Sequence, residues 1–296
     1  MLSVDDAPKE VKNSSPKNKL NPDEKAEVVK CLLEPKWVEF SPREIYYKLM
    51  DEENKLIASV STFYRIARDK QLLTQRLNIG TGKKLNRVKP ELLALKPNEI
   101  WSWDVTQILS DCRNQRYYLY VIIDIWSRYV VGWTLESNEQ TEIAIRMWKQ
   151  ALSEQMITGS GLINHKDNGA IMRAKEMIKF VHDAQMVDSY SRAGVSDDNP
   201  FSESLFRTVQ YFRNYPECFS SLELGQSYFA KYFYDYNNEY KHSGIQFITP
   251  AARHYGDEIK ILNQRNKLIE KFHKENPHRY SSKPKEFKPI TEVRIN

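Results

Sequence analysis

The stretch Ile100–Leu109, IWSWDVTQIL, constrains the fold of this chain more than any other. Taken two residues at a time, it puts Trp101, Trp103, Val105, Gln107 and Leu109 on one face and Ser102, Asp104, Thr106 and Ile108 on the other. Aromatic and β-branched residues dominate, and Pro97 and Asn98 punctuate the entry, so the pattern predicts a strand. Asp104 stands in the middle of it. Inside a sheet an unpartnered carboxylate is unstable, because desolvating the charge costs on the order of several kcal/mol unless a partner or a metal compensates. Taken alone, Asp104 reads first as a strand-end acid that caps a turn or pairs with an arginine; two acids further on change that reading.

The segments around this strand predict a mixed sheet. A turn at 110–114 leads to RYYLYVIIDIW (116–126), too apolar to face water on either side. Ser127 and Arg128 turn the chain into YVVGWTL (129–135), completing an antiparallel meander. Residues 139–154 have helical periodicity through Ile143, Ala144, Met147, Trp148 and Leu152. A short strand at 159–164 ends at the loop HKDNGA, which contains Asp167; 171–184 is helical and 186–190 a brief fifth strand. After the loop SRAGVSDDN, a helix over 200–214 starts with Pro200 in its first position. The fold class expected is α/β: a mixed five-stranded sheet at 98–256 with helices on both faces.

An all-α domain precedes it. Residues 1–20 are polar and charged, with the composition of a disordered segment. Asn21-Pro22 opens a helix, Ser41-Pro42-Arg43-Glu44 is a capping box for a second, and a third begins at Ser59 or Ser61. Three short helices over 21–76, the last exposing Ser61, Thr62, Tyr64, Arg65 and Arg68, match a helix-turn-helix, with a plain three-helix packing module as the alternative. Residues 77–97 read as a linker and 257–296 as a basic extension, since 261–296 hold nine Lys and Arg against four Glu. Such an extension suits a phosphate backbone, although a solvated tail has the same composition. No apolar run approaches the roughly 18 residues of a membrane span, and the N-terminus lacks the blocks of a signal peptide, so a cytoplasmic protein is expected. The three cysteines are too widely spaced for a zinc cluster or a disulfide frame.

Asp104 on the first strand, Asp167 after the fourth and Glu203 in the first turn of the helix after the fifth converge on one sheet edge. From Asp167 to Glu203 is 36 positions. Three clustered carboxylates repel one another unless a hard cation intervenes, and Mg²⁺ or Mn²⁺ takes such oxygen ligands while leaving room for phosphate. Two ions of this kind activate the attacking oxygen and stabilise the leaving one in an in-line displacement. Singly, each acid has a plainer role. Glu203 is favourable near a helix N-terminus on electrostatic grounds, and Asn199 or Asp198 is a natural cap there.

WSWDVTQI, DNGA and SRAGVSDDNPFSESLFRTVQY resemble the retroviral-integrase-like D,D-35-E transposases of bacterial insertion sequences, in particular the second-frame protein. HSGIQFITPAARHYG, NPHRY and the closing VRIN are similar to that group's C-terminal signatures, and 40–68 to its helix-turn-helix. The resemblance spans about 21–296. It implies a ribonuclease-H-like core in which Asp104, Asp167 and Glu203 are catalytic and hold the metal, probed by Mg²⁺ or Mn²⁺, with two ions expected. It also implies a transposase that cuts and joins DNA at the element's ends, a homo-oligomer on end and target DNA, nucleoid association, and cooperation with an upstream-frame subunit. Three departures stand out: Lys166 where a small serine is usual, Ala193 for a proline, and Gln210 for a lysine that approaches the DNA end. Positions 203, 207 and 210 share a helix face, so Arg207 with Gln210, like Arg65 and Arg68, is a candidate DNA contact. The alternative is a decayed or domesticated copy that binds DNA without strand transfer; a plain ribonuclease H fits the helix-turn-helix poorly.

Overall fold

The computed structural model describes residues 19–37, 40–70, 72, 92–112, 115–191, 199–212, 215–280 and 282–295. The chain forms two compact units, residues 1–76 with 263–287 and residues 77–262 with 288–296. Among the described residues no helix is long and apolar enough to cross a membrane.

The first unit holds α1 (Pro22–Leu33), α2 (Pro42–Glu52) and α3 (Val60–Asp69). Local chemistry sets their starts. Asn21 and Glu24 close a capping box on α1, Ser41 and Glu44 another on α2, and Ser59 Oγ accepts from Thr62 N at the head of α3. Val28, Leu32, Trp37, Ile45, Leu49, Phe63 and Ile66 form the core. The segment 263–287 belongs here. Arg265, fully buried, meets both Asp51 carboxylate oxygens at 2.8 Å and stacks over Tyr47, and Arg279 pairs with Glu24. The expected basic extension at 257–296 is therefore divided, and Arg265 and Arg279 are held by carboxylates of the N-terminal helices.

The second unit is built on the sheet. Its strands are β2 (Ile100–Leu109), β3 (Arg116–Asp124), β4 (Val130–Glu136), β5 (Ile163–Lys166) and β6 (Val187–Tyr190), with β1 (Leu92–Ala94) before them. The order is β4-β3-β2-β5-β6. β2, β3 and β4 are antiparallel neighbours, whereas β5 lies parallel to both β2 and β6, which is the ribonuclease-H-like arrangement. The alternation of β2 is the one read from sequence. Trp101 and Trp103 pack with Trp148 of α4 (Thr141–Glu154) and with Met177 and Val181 of α5 (Lys175–Asp183). On the other face, Ile108, Leu119, Val121 and Ile123 pack on α6 (Pro200–Gln210) and α7 (Leu222–Asn238).

After α7 come α8 (Pro250–His254), α9 (Glu258–Glu275) and β7 (Val293–Ile295). β7 pairs antiparallel with β1, burying Val293 and Ile295 against Ala94, Ile100 and Trp126. A strand thus forms at 92–94, inside the expected linker, because a segment some two hundred positions later supplies its hydrogen bonds; 73–91 lie outside the described residues, as do 1–18. Two helices are shorter than expected. α5 starts at Lys175, since Ala174 is extended (φ −60°, ψ 144°), and α6 ends at Gln210.

Candidate active site

Asp104 faces the α6 side of β2. Its Oδ1 accepts from Val105 N at 2.8 Å. Burial, with repulsion from Asp167 and Glu203 added, pushes its carboxyl up to about 7 in spite of that hydrogen bond. Asp167 is the first residue past β5, and the β2–β5 ladder ends on the pair Trp103–Lys166. Both acids therefore follow the last paired residues of two adjacent parallel strands. Ser191 Oγ donates to Asp167 Oδ1 at 2.6 Å, and Asn168 Nδ2 ties the backbone carbonyl of Ser191 at 2.5 Å. Glu203 lies in the first turn of α6, half-buried.

The structure brings the three acids into one electrostatic neighbourhood, since Asp104 feels both others. Among the described residues, however, no three His, Cys, Asp or Glu side chains are close enough to hold a metal ion. The chemistry of the donors fits a hard cation all the same. They are carboxylate oxygens, one of them desolvated and raised by two like charges, and a divalent ion relieves that repulsion.

Lys166, expected as a cation beside Asp167, is turned away from it. Successive strand residues point to opposite faces, and Lys166 is buried on the far face with its Nζ 2.6 Å from Asp188 Oδ1 and over the Tyr190 ring. Ala193 lies outside the described residues. Arg207 and Gln210 are exposed on α6 while Leu205, Phe206 and Val209 are buried, so the two share an outward face. In the first unit Arg65 and Arg68 of α3 are exposed with Ser61, whereas Thr62 and Tyr64 are half-buried.

Sequence reasoning missed a set of buried polar residues between β2 and α6. Asn199 occupies the N-cap position of α6, yet its side chain makes no capping bond. It reaches instead to Ser102 Oγ at 2.5 Å, which is also 2.9 Å from Ser202 Oγ. The one signal available was that Ser102 alternates onto the face of Asp104.

A five-stranded mixed sheet with one acid within its central strand, one just past the neighbouring parallel strand and one in the first turn of a following helix defines a ribonuclease-H-like core. Two family models, both described as integrase core domain, match residues 94–196 and 185–250. Together they span residues 94–250, so the second unit carries an integrase core domain. It is similar to the transposase for insertion sequence element IS904 of Lactococcus lactis, with 28% identity over 56% of this chain and 64% of that one. It is similar also to the transposase InsF for insertion sequence IS3A of Escherichia coli, with 27% identity over 56% of this chain and 57% of the relative. The match thus spans less than two thirds of the length of these curated relatives. Among solved structures, the HTLV-2 integrase catalytic core domain in complex with magnesium aligns at 22% identity, with a TM-score of 0.40 over 54% of this chain and 98% of that one.

Proposed function

We propose that this chain is an insertion-sequence transposase, a polynucleotidyl transferase that cleaves DNA at the element's ends and transfers the strands. The observation that carries the reading is Asp104, a desolvated acid in an integrase core whose carboxyl is raised to about 7 with Asp167 and Glu203 among the causes. Asp104, Asp167 and Glu203 hold the metal, with Ser191 orienting Asp167 through its hydroxyl. One or two Mg²⁺ or Mn²⁺ ions bound there supply the positive charge that activates the attacking oxygen and stabilises the leaving one. The exposed face of α6 lies against the DNA end, where Arg207 contacts a phosphate and Gln210 hydrogen-bonds without adding charge. Arg65 and Arg68 read or grip DNA from α3. The protein works as a homo-oligomer on end and target DNA, together with an upstream-frame subunit.

Nicking of supercoiled plasmid in Mn²⁺, with strand transfer by a duplex taken from the DNA flanking the gene, tests the proposal. Asp104→Asn, Asp167→Asn and Glu203→Gln are each expected to abolish both reactions while leaving DNA binding within about threefold, because phosphate contacts lie elsewhere. Near wild-type cleavage by any one of them removes that residue from the site. DNA binding without cleavage by the unaltered chain would instead identify a decayed copy.

A further inference from the structure

We propose that Ser102, Asn199 and Ser202 form a buried positioning chain that fixes Glu203 relative to Asp104 and so sets the metal affinity of the site. The proposal rests on the transposase reading of the same three acids.

The hydrogens of this chain can be assigned. Ser102 has one hydroxyl proton, and its 2.5 Å contact with Asn199 Oδ1, an oxygen that can only accept, takes it. Ser202 must then donate to Ser102 across 2.9 Å. Asn199 Nδ2 continues the series to the backbone oxygen of Trp103, at 3.4 Å. The result is a directional relay, Ser202 to Ser102 to Asn199 to Trp103, in which each bond polarises the next.

Its ends meet the catalytic acids in sequence. Ser102 and Trp103 immediately precede Asp104, and Ser202 immediately precedes Glu203. All three side chains of the relay are buried, Ser102 and Asn199 fully so. Hydroxyls and an amide at such a strand–helix contact hold the helix less firmly by packing than apolar groups of the same size. What they add is direction, because the hydrogen bonds close in only one register of α6 on β2. Asn199 forgoes the capping bond that its residue type and position favour, although the N–H groups of a helix start call for one. An asparagine that leaves its own helix end to hold the strand bearing Asp104 has its role across the contact and not along the helix.

The test is a Mn²⁺ titration of the full-length protein, with free ion followed by electron paramagnetic resonance and the metal alone as probe. Ser102→Ala and Asn199→Ala are expected to raise the Mn²⁺ midpoint at least tenfold. They should slow plasmid nicking at limiting Mn²⁺ and leave the half-saturating DNA concentration unchanged. Asn237→Ala serves as the control. That buried amide bonds both backbone groups of Val130, at 2.9 and 3.0 Å, away from the acids. It should lower the melting temperature as much as Asn199→Ala does, without moving the Mn²⁺ midpoint. Ser102→Ala removes a single oxygen, so the question stays answerable should Asn199→Ala misfold.

Midpoints within twofold of wild type in both variants, beside a wild type whose uptake is abolished by Asp104→Asn, would overturn the positioning chain and leave the transposase reading standing. A wild type that takes up no Mn²⁺ overturns both.

Discussion

Asp104→Asn, in protein stripped of divalent ions with EDTA, is expected to raise the melting temperature at pH 8 and to leave it unchanged at pH 4. The Asp104 carboxyl is held at about 7 against an ordinary 3.8, mainly by burial and further by Asp167 and Glu203. Folding therefore favours the neutral acid. Its contribution is fully present below pH 3.8, fades as pH rises, and is lost once pH passes about 7. A shift of this size corresponds to a ceiling of about 4 kcal/mol. The carboxyl keeps some solvent contact, and screening leaves roughly half of that, about 2 kcal/mol. In a unit of about 150–250 residues each kcal/mol moves the midpoint by about 2–4 °C, which gives roughly 4–8 °C. Asparagine keeps an oxygen for Val105 N, whose bond to Asp104 is 2.8 Å, so the comparison isolates the charge. Thermal melts by circular dichroism from pH 4 to pH 8 read it out, and Mn²⁺ at pH 8 should narrow the gap by stabilising the wild type alone. An asparagine variant that melts at or below the wild type at pH 8, or a gap that does not change with pH, would refute the reasoning.

Four other perturbations are informative. Arg265→Ala strands Asp51, half of a pair with two 2.8 Å contacts and a fully buried guanidinium, and should cost about 3–5 kcal/mol in urea unfolding. Arg146→Ala, which breaks an exposed pair with Glu136, should cost no more than about 1 kcal/mol in the same measurement. Arg65→Ala should weaken binding to the element's end by about 1–3 kcal/mol with relaxed specificity if it contacts a base, or lower the salt slope by about one unit if it contacts phosphate. A footprint and salt slope identical to wild type would take α3 off the DNA. Gln210→Lys should tighten binding of the end and steepen its salt dependence by about one unit, measured by fluorescence anisotropy; unchanged affinity and slope would place the exposed face of α6 away from DNA.

Features governed by neighbours in sequence were legible, and features governed by distant partners were not. The two capping boxes at Asn21 and Ser41 involve residues three apart and follow from residue type alone. The two faces of β2 follow from a period of two. By contrast, Arg265 meets Asp51 across 214 positions and Arg279 meets Glu24 across 255, so a basic composition at 257–296 could not reveal which cations carboxylates hold. The strand at Leu92–Ala94 needs Val293–Ile295 to pair with, and nothing local marks it. Asn199 was legible as a cap by its residue type, and the competing partner, Ser102, lies 97 positions away.

Lys166 joins these two cases, and it bears on why the site can demand a metal. Its neighbour in sequence is Asp167, and adjacency alone suggests a built-in cation that would neutralise the acids. Strand geometry separates them. Asn164 and Lys166 both reach Asp188 on one face of the sheet, at 3.0 and 2.6 Å, so the lysine charge is matched there. Asp104 accordingly feels burial and the acids Asp167, Glu203 and Glu139. A buried lysine turned toward the acids would hold Asp104 low and leave little for a divalent ion to relieve. Turned away, it leaves Asp104 with the repulsion of Asp167 and Glu203, which a hard cation would relieve. The substitution of lysine beside Asp167 is therefore compatible with metal-dependent chemistry because β5 is a strand through residue 166 and the face changes at every step.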